Sequence, residues 1–262
     1  MTVRDRADAS RLLRTVAKSA ATVSAMVMIW GILSEVKLIN PLFMPTPHET
    51  ILEAIHMMAS TKLYLDISAS LYRILAGVAL SLGCGIPLGL LLGYFACAYS
   101  FVEGTIDFFR SIPPVVTFPL SVLIFGTGDE SRIAVIFFGC VFIAVFNGAA
   151  GVLQAGRARI LVAKSMGAGN FMIFRRVIFY EALPQIFTGI RIALSMGVIV
   201  GIVCEMLVGT PYGLGSRIVH SQTSYATAEM YFTIILTGIL GLVMNRMLSV
   251  IEARTIHWKE AK

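Results

Sequence analysis

Side chains able to do chemistry are sparse in this chain, and their spacing rules out most reactions. The longest polar interruption in the second half carries Arg157, Arg159, Lys164, Arg175 and Arg176, with no acidic residue among them before Glu181. Lys164-Ser165 follows Ala163 rather than glycine, so it does not close a phosphate loop of the G-x-x-x-x-G-K-[ST] kind. Neither H-E-x-x-H nor G-x-S-x-G occurs. His48 and His56 have no ligand-spaced partner and read as surface residues. Cys84, Cys97, Cys140 and Cys204 form no C-x-x-C pair and sit in or beside apolar runs, which predicts small buried residues rather than a metal or redox centre. No catalytic residue and no metal ligand is expected. Two polar residues stand alone inside apolar runs, Asn147 and Glu205.

The surrounding composition says what must position these groups. The chain has 262 residues, of which 57% are hydrophobic and 14% charged, and a mean hydropathy of +0.82. Soluble domains carry about 25% charged residues, so the chain belongs to the membrane class. The net charge of +6 is split among segments between apolar runs. It forms no continuous patch with interleaved aromatics, so anionic lipid and topology account for it and nucleic acid does not.

Six apolar spans are predicted, giving an all-α integral membrane fold. The first, residues 17–39, follows a basic start and mimics a signal peptide; no small-x-small cleavage pattern follows, so it reads as an uncleaved helix. Residues 40–66 form the longest loop, stiffened by Pro41, Pro45 and Pro47. Within it Ile51, Leu52, Ile55 and Met58 take helical spacing over 48–59. The second span is 67–94, with a kink expected at Pro87. Residues 101–110 read as a cytoplasmic interfacial turn of helix, broken by Pro113-Pro114. The short third span, 115–125, must lean on it. The fourth span is 133–153, the fifth 183–208 and the sixth 229–251, with 209–228 an external loop.

Two spans carry small residues every fourth position. Gly77, Ser81, Gly85, Gly89 and Gly93 mark the second; Gly189, Ala193, Gly197 and Gly201 mark the fifth. Small residues at that period let helices approach closely in lipid, and the drift of the stripe predicts an oblique partner. A sliding face is the functional alternative. Asn147 is expected to bond a neighbouring helix. Glu205 ends the fifth stripe. It is either a site in the interior, as an intramembrane carboxylate is by default, or a hydrated group near the outer surface. Asn147, Glu205, Gly197 and Gly201 are therefore the pathway or interior candidates. Arg191 lies about 21 Å from Glu205 along an ideal helix, too far to pair, and reads as snorkelling towards the cytoplasm.

The bases orient the bundle. Arg4, Arg6, Arg11, Arg14 and Lys18, then Arg110, then the set from Arg157 to Arg176, then Arg246, Arg254, Lys259 and Lys262 fall on one side. The other side has Lys37, Lys62, Arg132 and Arg217, with Arg73 near the end of the second span. The positive-inside bias puts both termini of a multi-pass membrane protein in the cytoplasm. The predicted organisation is a basic segment 1–18, a six-helix domain 19–252 with a cytoplasmic loop 156–184, and a tail 253–262.

That loop alternates Ile160, Leu161, Ala163, Met166 and Gly167 with basic residues at helical spacing. On pattern alone it is either a solvated topology signal or a short surface helix offered to something in the cytosol. Its sequence resembles the coupling loop of ABC importer permeases. Ala163, the glycine four residues on (Gly167) and the run ending at Pro184 fall in register with that family. Gly189-Ile190-Arg191-Ile192-Ala193-Leu194, Glu205 and Gly213-Leu214-Gly215 are similar to its nitrate/sulfonate/taurine branch. So are Ile112-Pro113-Pro114, Pro119-Leu120 and Phe125-Gly126. Two positions depart: Leu161-Val162 replace the usual Glu-Ala pair, and Tyr180 replaces a proline.

The resemblance implies the type I importer (MetI-like) transmembrane domain and a role as the pore subunit for a small organic anion or a nitrogen or sulfur source. Implied partners are ABC ATPase subunits, a periplasmic solute-binding protein, and a second permease copy, identical or related. Membrane lipid surrounds them. ATP and magnesium would sit in the ATPase, with no cofactor on this chain. Contact with the ATPase would fall on Arg157, Arg159, Leu161, Ala163, Lys164, Gly167, Ala168 and Pro184. Two other classes remain: an ion-coupled secondary transporter using Glu205, and a membrane scaffold.

Overall fold

The computed structural model describes residues 3–36 and 39–256. Lys37, Lys259 and Lys262 of the charge argument lie outside them. The described chain is helical, and it separates into two units: residues up to 61 with 218–235, and residues 62–217 with 236 onward.

In the first unit α1 (Val3–Glu35) leads to α2 (Pro47–Met58), the short helix expected in the long loop. A capping box starts α2. The Glu49 N–H donates to the Thr46 hydroxyl at 3.2 Å, and the Thr46 N–H donates to the Glu49 carboxylate at 2.8 Å. Trp30 stacks on Tyr231 with ring centroids 5.6 Å apart, and its indole N–H donates to the Pro45 carbonyl at 3.0 Å.

The second unit starts with α3 (Thr61–Tyr94), an uninterrupted helix through Pro87. Next come α4 (Ala96–Ser111), a 3-10 turn at Pro114–Thr117, and α5 (Phe118–Phe125). The two limbs, Ala96–Ser111 and Pro114–Phe125, meet at 84°; together they are long and apolar enough for a broken span or a re-entrant loop. Residues 101–110, read from the sequence as a cytoplasmic, partly interfacial turn of helix, are part of α4. Tyr99, Val102, Ile106 and Phe109 form a helical stripe, and it packs along α6 (Asp129–Leu153). Phe109 stacks on Phe142 at 5.2 Å, and Arg110 rests 4.4 Å over the Phe146 ring. Pro113-Pro114 then turns the chain, because neither residue can donate a helical hydrogen bond.

After α6 come α7 (Arg157–Ser165), the short α8 (Asn170–Ile173), a π turn at Phe174–Ile178, and α9 (Phe179–Leu207). From Asn170 to Leu207 the helix is continuous enough to count as one apolar crossing. Within the predicted loop 156–184 only residue 156 and residues 166–169 are non-helical, and Pro184 lies inside α9. A proline is tolerated there because packed neighbours and a locally widened winding absorb the lost bond. The region predicted as loop 209–228 contains α10 (Leu214–Thr223), and α11 (Thr227–Thr255) ends the described chain.

Among the described residues, Thr61–Tyr94, Asp129–Leu153, Asn170–Leu207 and Thr227–Thr255 are each long and apolar enough to cross a membrane, and the bent pair counts as a fifth if it is one span. The first predicted span falls on α1, whose apolar part is Ala20–Glu35.

The small-residue stripes are packing surfaces. A Cβ on Gly85 would meet the Ala144 Cβ at 2.6 Å, and one on Gly93 the Ala149 carbonyl at 2.7 Å. The stripe of α3 thus follows α6 over several turns, with both helices running in the same direction. On α9, a Cβ at Gly189 would meet Asn147 at 2.6 Å, and one at Gly201 would meet Ile74 at 2.8 Å. Around these contacts Ile74, Val78, Val135, Ile136, Cys140, Ala193, Leu194 and Val200 form the buried core. Cys140 and Cys204 are buried as expected; Cys84 and Cys97 are exposed on the protein surface.

Candidate functional site

The loop that carries the basic residues is held as a rigid attachment. Arg157 opens α7, and the helix ends in a Schellman motif. The Gly167 N–H donates to the Lys164 carbonyl at 2.9 Å and the Ala168 N–H to the Ala163 carbonyl at 3.1 Å. Gly167 has φ +78°, and nothing lies within 4 Å of where its Cβ would be. Glycine is required there by backbone conformation, not by space. The Ala163-to-Gly167 spacing noticed in the sequence is thus a helix stop.

Glu181, which sequence reasoning used only as the end of a basic run, ties this attachment to α9. Its carboxylate accepts from the Gly156 N–H and lies 2.6 Å from the Arg159 guanidinium. Ile160, Ala163 and Ala168 pack against Ile173, Ile178, Ala182 and Ile186. The remaining positions point away: Leu161, Val162 and Met166 are exposed, as are Lys164 and Phe171. Amphipathicity is therefore split. One apolar face holds the bundle, and a second is left open. A groove of about 550 Å³ runs beside it, lined by Val162, Met166, Arg176, Val177 and Tyr180 among others.

The interior candidates form no open wall. Asn147 is buried, donates to the Ile143 carbonyl at 2.8 Å, and accepts from the Gln185 amide at 3.0 Å. It joins α6 to α9, as a lone polar residue in a span is expected to do. Gly197 and Gly201 are buried against Val78 and Ile74. Arg191, expected to snorkel, pairs with Glu252 and reaches the Ser249 hydroxyl at 3.4 Å.

Glu205 is 1% exposed, and its partner is a residue the sequence did not connect to it. The Arg73 guanidinium is 2.6 Å away. The Ser70 hydroxyl donates at 2.8 Å and the Gly215 N–H at 2.9 Å. Arg73 also binds Asp129 at 2.7 Å and the Tyr212 carbonyl at 3.0 Å. Asp66 accepts from the Gly213 N–H at 2.9 Å and from the Arg217 guanidinium at 2.6 Å. Arg132 donates to the Thr127, Gly128 and Val208 carbonyls at 2.7–2.8 Å. Three acids therefore face three arginines where α3, α6, α9 and the start of α10 meet, at the opposite end of α9 from α7. Gly213, at φ +150°, sits so close that a Cβ would meet Glu205 Cδ at 2.8 Å. The Glu205 and Gly213-Leu214-Gly215 pattern is one structural unit: a carboxylate and the backbone that wraps it. Of the two positions the sequence left open, the interior and the hydrated outer surface, Glu205 occupies the interior.

Among the described residues no group of three or more His, Cys, Asp or Glu side chains could hold a metal ion. What the arrangement offers is mechanical: an exposed handle at one end of α9 and a closed ion-pair knot at the other.

Comparison with known proteins gives this geometry a context. Residues 85–257 match the family described as binding-protein-dependent transport system inner membrane component. A probable ABC transporter permease protein of Brucella abortus (strain 2308) is 33% identical over 217 residues, which is 83% of this chain and 86% of the relative. The taurine transport system permease protein TauC of Escherichia coli (strain K12) is 29% identical over 253 residues, covering 94% and 91%. Among solved structures, an inward-facing conformation of the MetNI methionine ABC transporter superposes with a TM-score of 0.66 at 23% identity. It covers 76% of this chain and 97% of the other, a likeness of fold.

Proposed function

Because the chain belongs to the family of binding-protein-dependent transport system inner membrane components, in the branch with the nitrate, sulfonate and taurine permeases, we propose that it builds, with a second permease copy, the pathway for a small organic anion or a nitrogen or sulfur source. A solute-binding protein delivers the substrate, and a separate ATPase, which holds the ATP and magnesium, drives the cycle. The chain lies in the inner membrane with both termini cytoplasmic, which places α7 on the ATPase side.

One observation carries this reading. The exposed face of α7, Leu161, Val162 and Met166, belongs to a helix that Glu181 and an apolar seam lock to α9. An ATPase seated on that face moves α9 when it closes around nucleotide. Each nucleotide state must then favour a different tilt, since a ligand shifts an equilibrium only by its differential affinity for the two states. Leu161-Val162 replace the charged-and-small pair usual in the family, so the ATPase groove must be apolar at that point.

The test is Met166→Asp in the assembled complex. Loss of ATPase co-purification and of substrate-stimulated ATP hydrolysis is expected. If both persist, α7 is not the docking element. The ion-coupled alternative drew on Glu205, whose carboxylate is already filled by Arg73, Ser70 and Gly215 and offers a travelling sodium ion no open oxygen. Uptake by the purified chain alone, driven by an ion gradient without an ATPase, would restore that alternative.

A further inference from the structure

The helix α2 wears its amphipathicity inside out. Thr50 and Met57 are buried, while Ile51, Leu52, Ile55 and Met58 are each more than half exposed. At 100° per residue those four side chains form one continuous stripe. Glu49, Glu53 and His56 fall together on an adjoining flank, where, with Leu52 at the edge of the stripe, they line a pocket with residues Tyr225 to Glu229. The stripe itself carries no charged residue.

The root of the helix says what covers that stripe. Trp30 stacks on Tyr231 and donates its indole N–H to Pro45, one residue before the cap. Gly31 faces Pro47, the first residue of α2. An aromatic pair with one apolar and one hydrogen-bonding end is characteristic of the membrane–water boundary. It lies where the apolar part of α1 runs out, towards Ser34 and Glu35. The side of α1 below it shows Val23, Met26, Ile29 and Ile32 outward, as a lipid-facing helix does. The capping box fixes the direction in which α2 leaves this boundary. Leu42 and Phe43, also exposed, precede it on the same connection.

We propose that α2 is an interfacial helix, with the Ile51, Leu52, Ile55 and Met58 face resting in the acyl region of the leaflet at the C-terminal end of α1 and the Glu49, Glu53 and His56 flank in water. An apolar face beside a polar flank, at headgroup depth, is the arrangement that partitions into a bilayer surface. It anchors the long connection between α1 and α3 and keeps the polar flank of α2 open beside residues 225–229.

The experiment places a benzoylphenylalanine photocrosslinker at position 55 or 53 of the full chain, in phosphatidylethanolamine/phosphatidylglycerol proteoliposomes. Position 239, exposed on α11, serves as the control inside a membrane span. Phospholipid adducts at 55 and 239, at least five-fold more abundant than at 53, are expected. Lipid adducts at 239 but not at 55, or adducts from 55 to a second copy of the chain, overturn the proposal. The same probe in native membranes must give lipid adducts at 55; capture of a soluble binding protein there instead also overturns it. A second measurement guards against local distortion by the probe. A spin label at position 55 should be reached by oxygen and shielded from a water-soluble nickel chelate, and one at 53 should show the reverse. Equal nickel access at both positions overturns the proposal.

Discussion

Arg73 and Glu205, on different helices and both almost wholly shielded from solvent, face each other at 2.6 Å. Removing one member leaves the other charge buried without its counter-charge. Arg73→Met or Glu205→Leu should therefore cost about 3–5 kcal/mol. The double variant should cost clearly less than the sum of the two, since residues in contact couple. Unfolding of the purified protein in detergent, read as a double-mutant cycle, checks this. Strict additivity would mean that the pair contributes nothing as a pair.

Gly167 and Gly213 both have positive φ, but for different surroundings. Gly213→Ala adds a Cβ 2.8 Å from the Glu205 carboxyl carbon and 2.9 Å from Arg73 Nη1, so strain and displacement of the ion pair add. A loss of about 2–4 kcal/mol is expected, combining backbone strain with a disturbed buried network. Gly167→Ala meets no neighbour and should cost only about 1 kcal/mol, most of it recovered by Gly167→Asn. Thermal midpoints of the three variants decide the order. Equal losses for the two alanines would contradict it.

Glu181 is expected to matter for coupling more than for assembly. Glu181→Ala frees the Gly156 N–H and Arg159 together. Substrate-stimulated ATP hydrolysis should fall several-fold while the ATPase still co-purifies. Glu181→Gln keeps an acceptor for the backbone N–H and should restore part of the stimulation. If the alanine variant loses the ATPase altogether, Glu181 holds the docking surface itself.

Helix glycines should divide by neighbour, not by helix. Gly189→Val drives a side chain into Asn147, which a Cβ would already meet at 2.6 Å. Overpacking of this kind costs about 1–3 kcal/mol. Gly238 has nothing within 4 Å of its missing Cβ, so Gly238→Ala should be neutral or stabilise by up to about 1 kcal/mol. Comparing detergent stabilities is sufficient; destabilisation by Gly238→Ala would point to an interface on that face of α11.

What sequence could and could not disclose follows from the range of each interaction. The four-residue stripes were readable because packing in lipid leaves a local period, and Asn147 bonds across to α9 as an isolated polar residue should. The Ala163-to-Gly167 spacing was also local, although its meaning as a helix stop needed the hydrogen bonds. Glu205 was visible as an anomaly, but Arg73 is distant in sequence, so no local pattern linked them. On α4, Glu103, Asp107 and Arg110 interrupt the apolar stripe in sequence, so its packing along α6 was not legible there. α10 was hidden by the glycines and hydroxyls that surround the ion-pair knot. Pro184 suggested a boundary that a packed membrane helix does not obey.

Glu181 and Glu205 sit near opposite ends of α9, separated by about 36 Å of helix at 1.5 Å per residue. Each anchors its end with a carboxylate. On the proposed docking of an ATPase against α7, coupling along α9 is reciprocal: the free-energy difference that the nucleotide state sets at the loop wrapping Glu205 equals the one that a change in that loop sets at the Gly156 end.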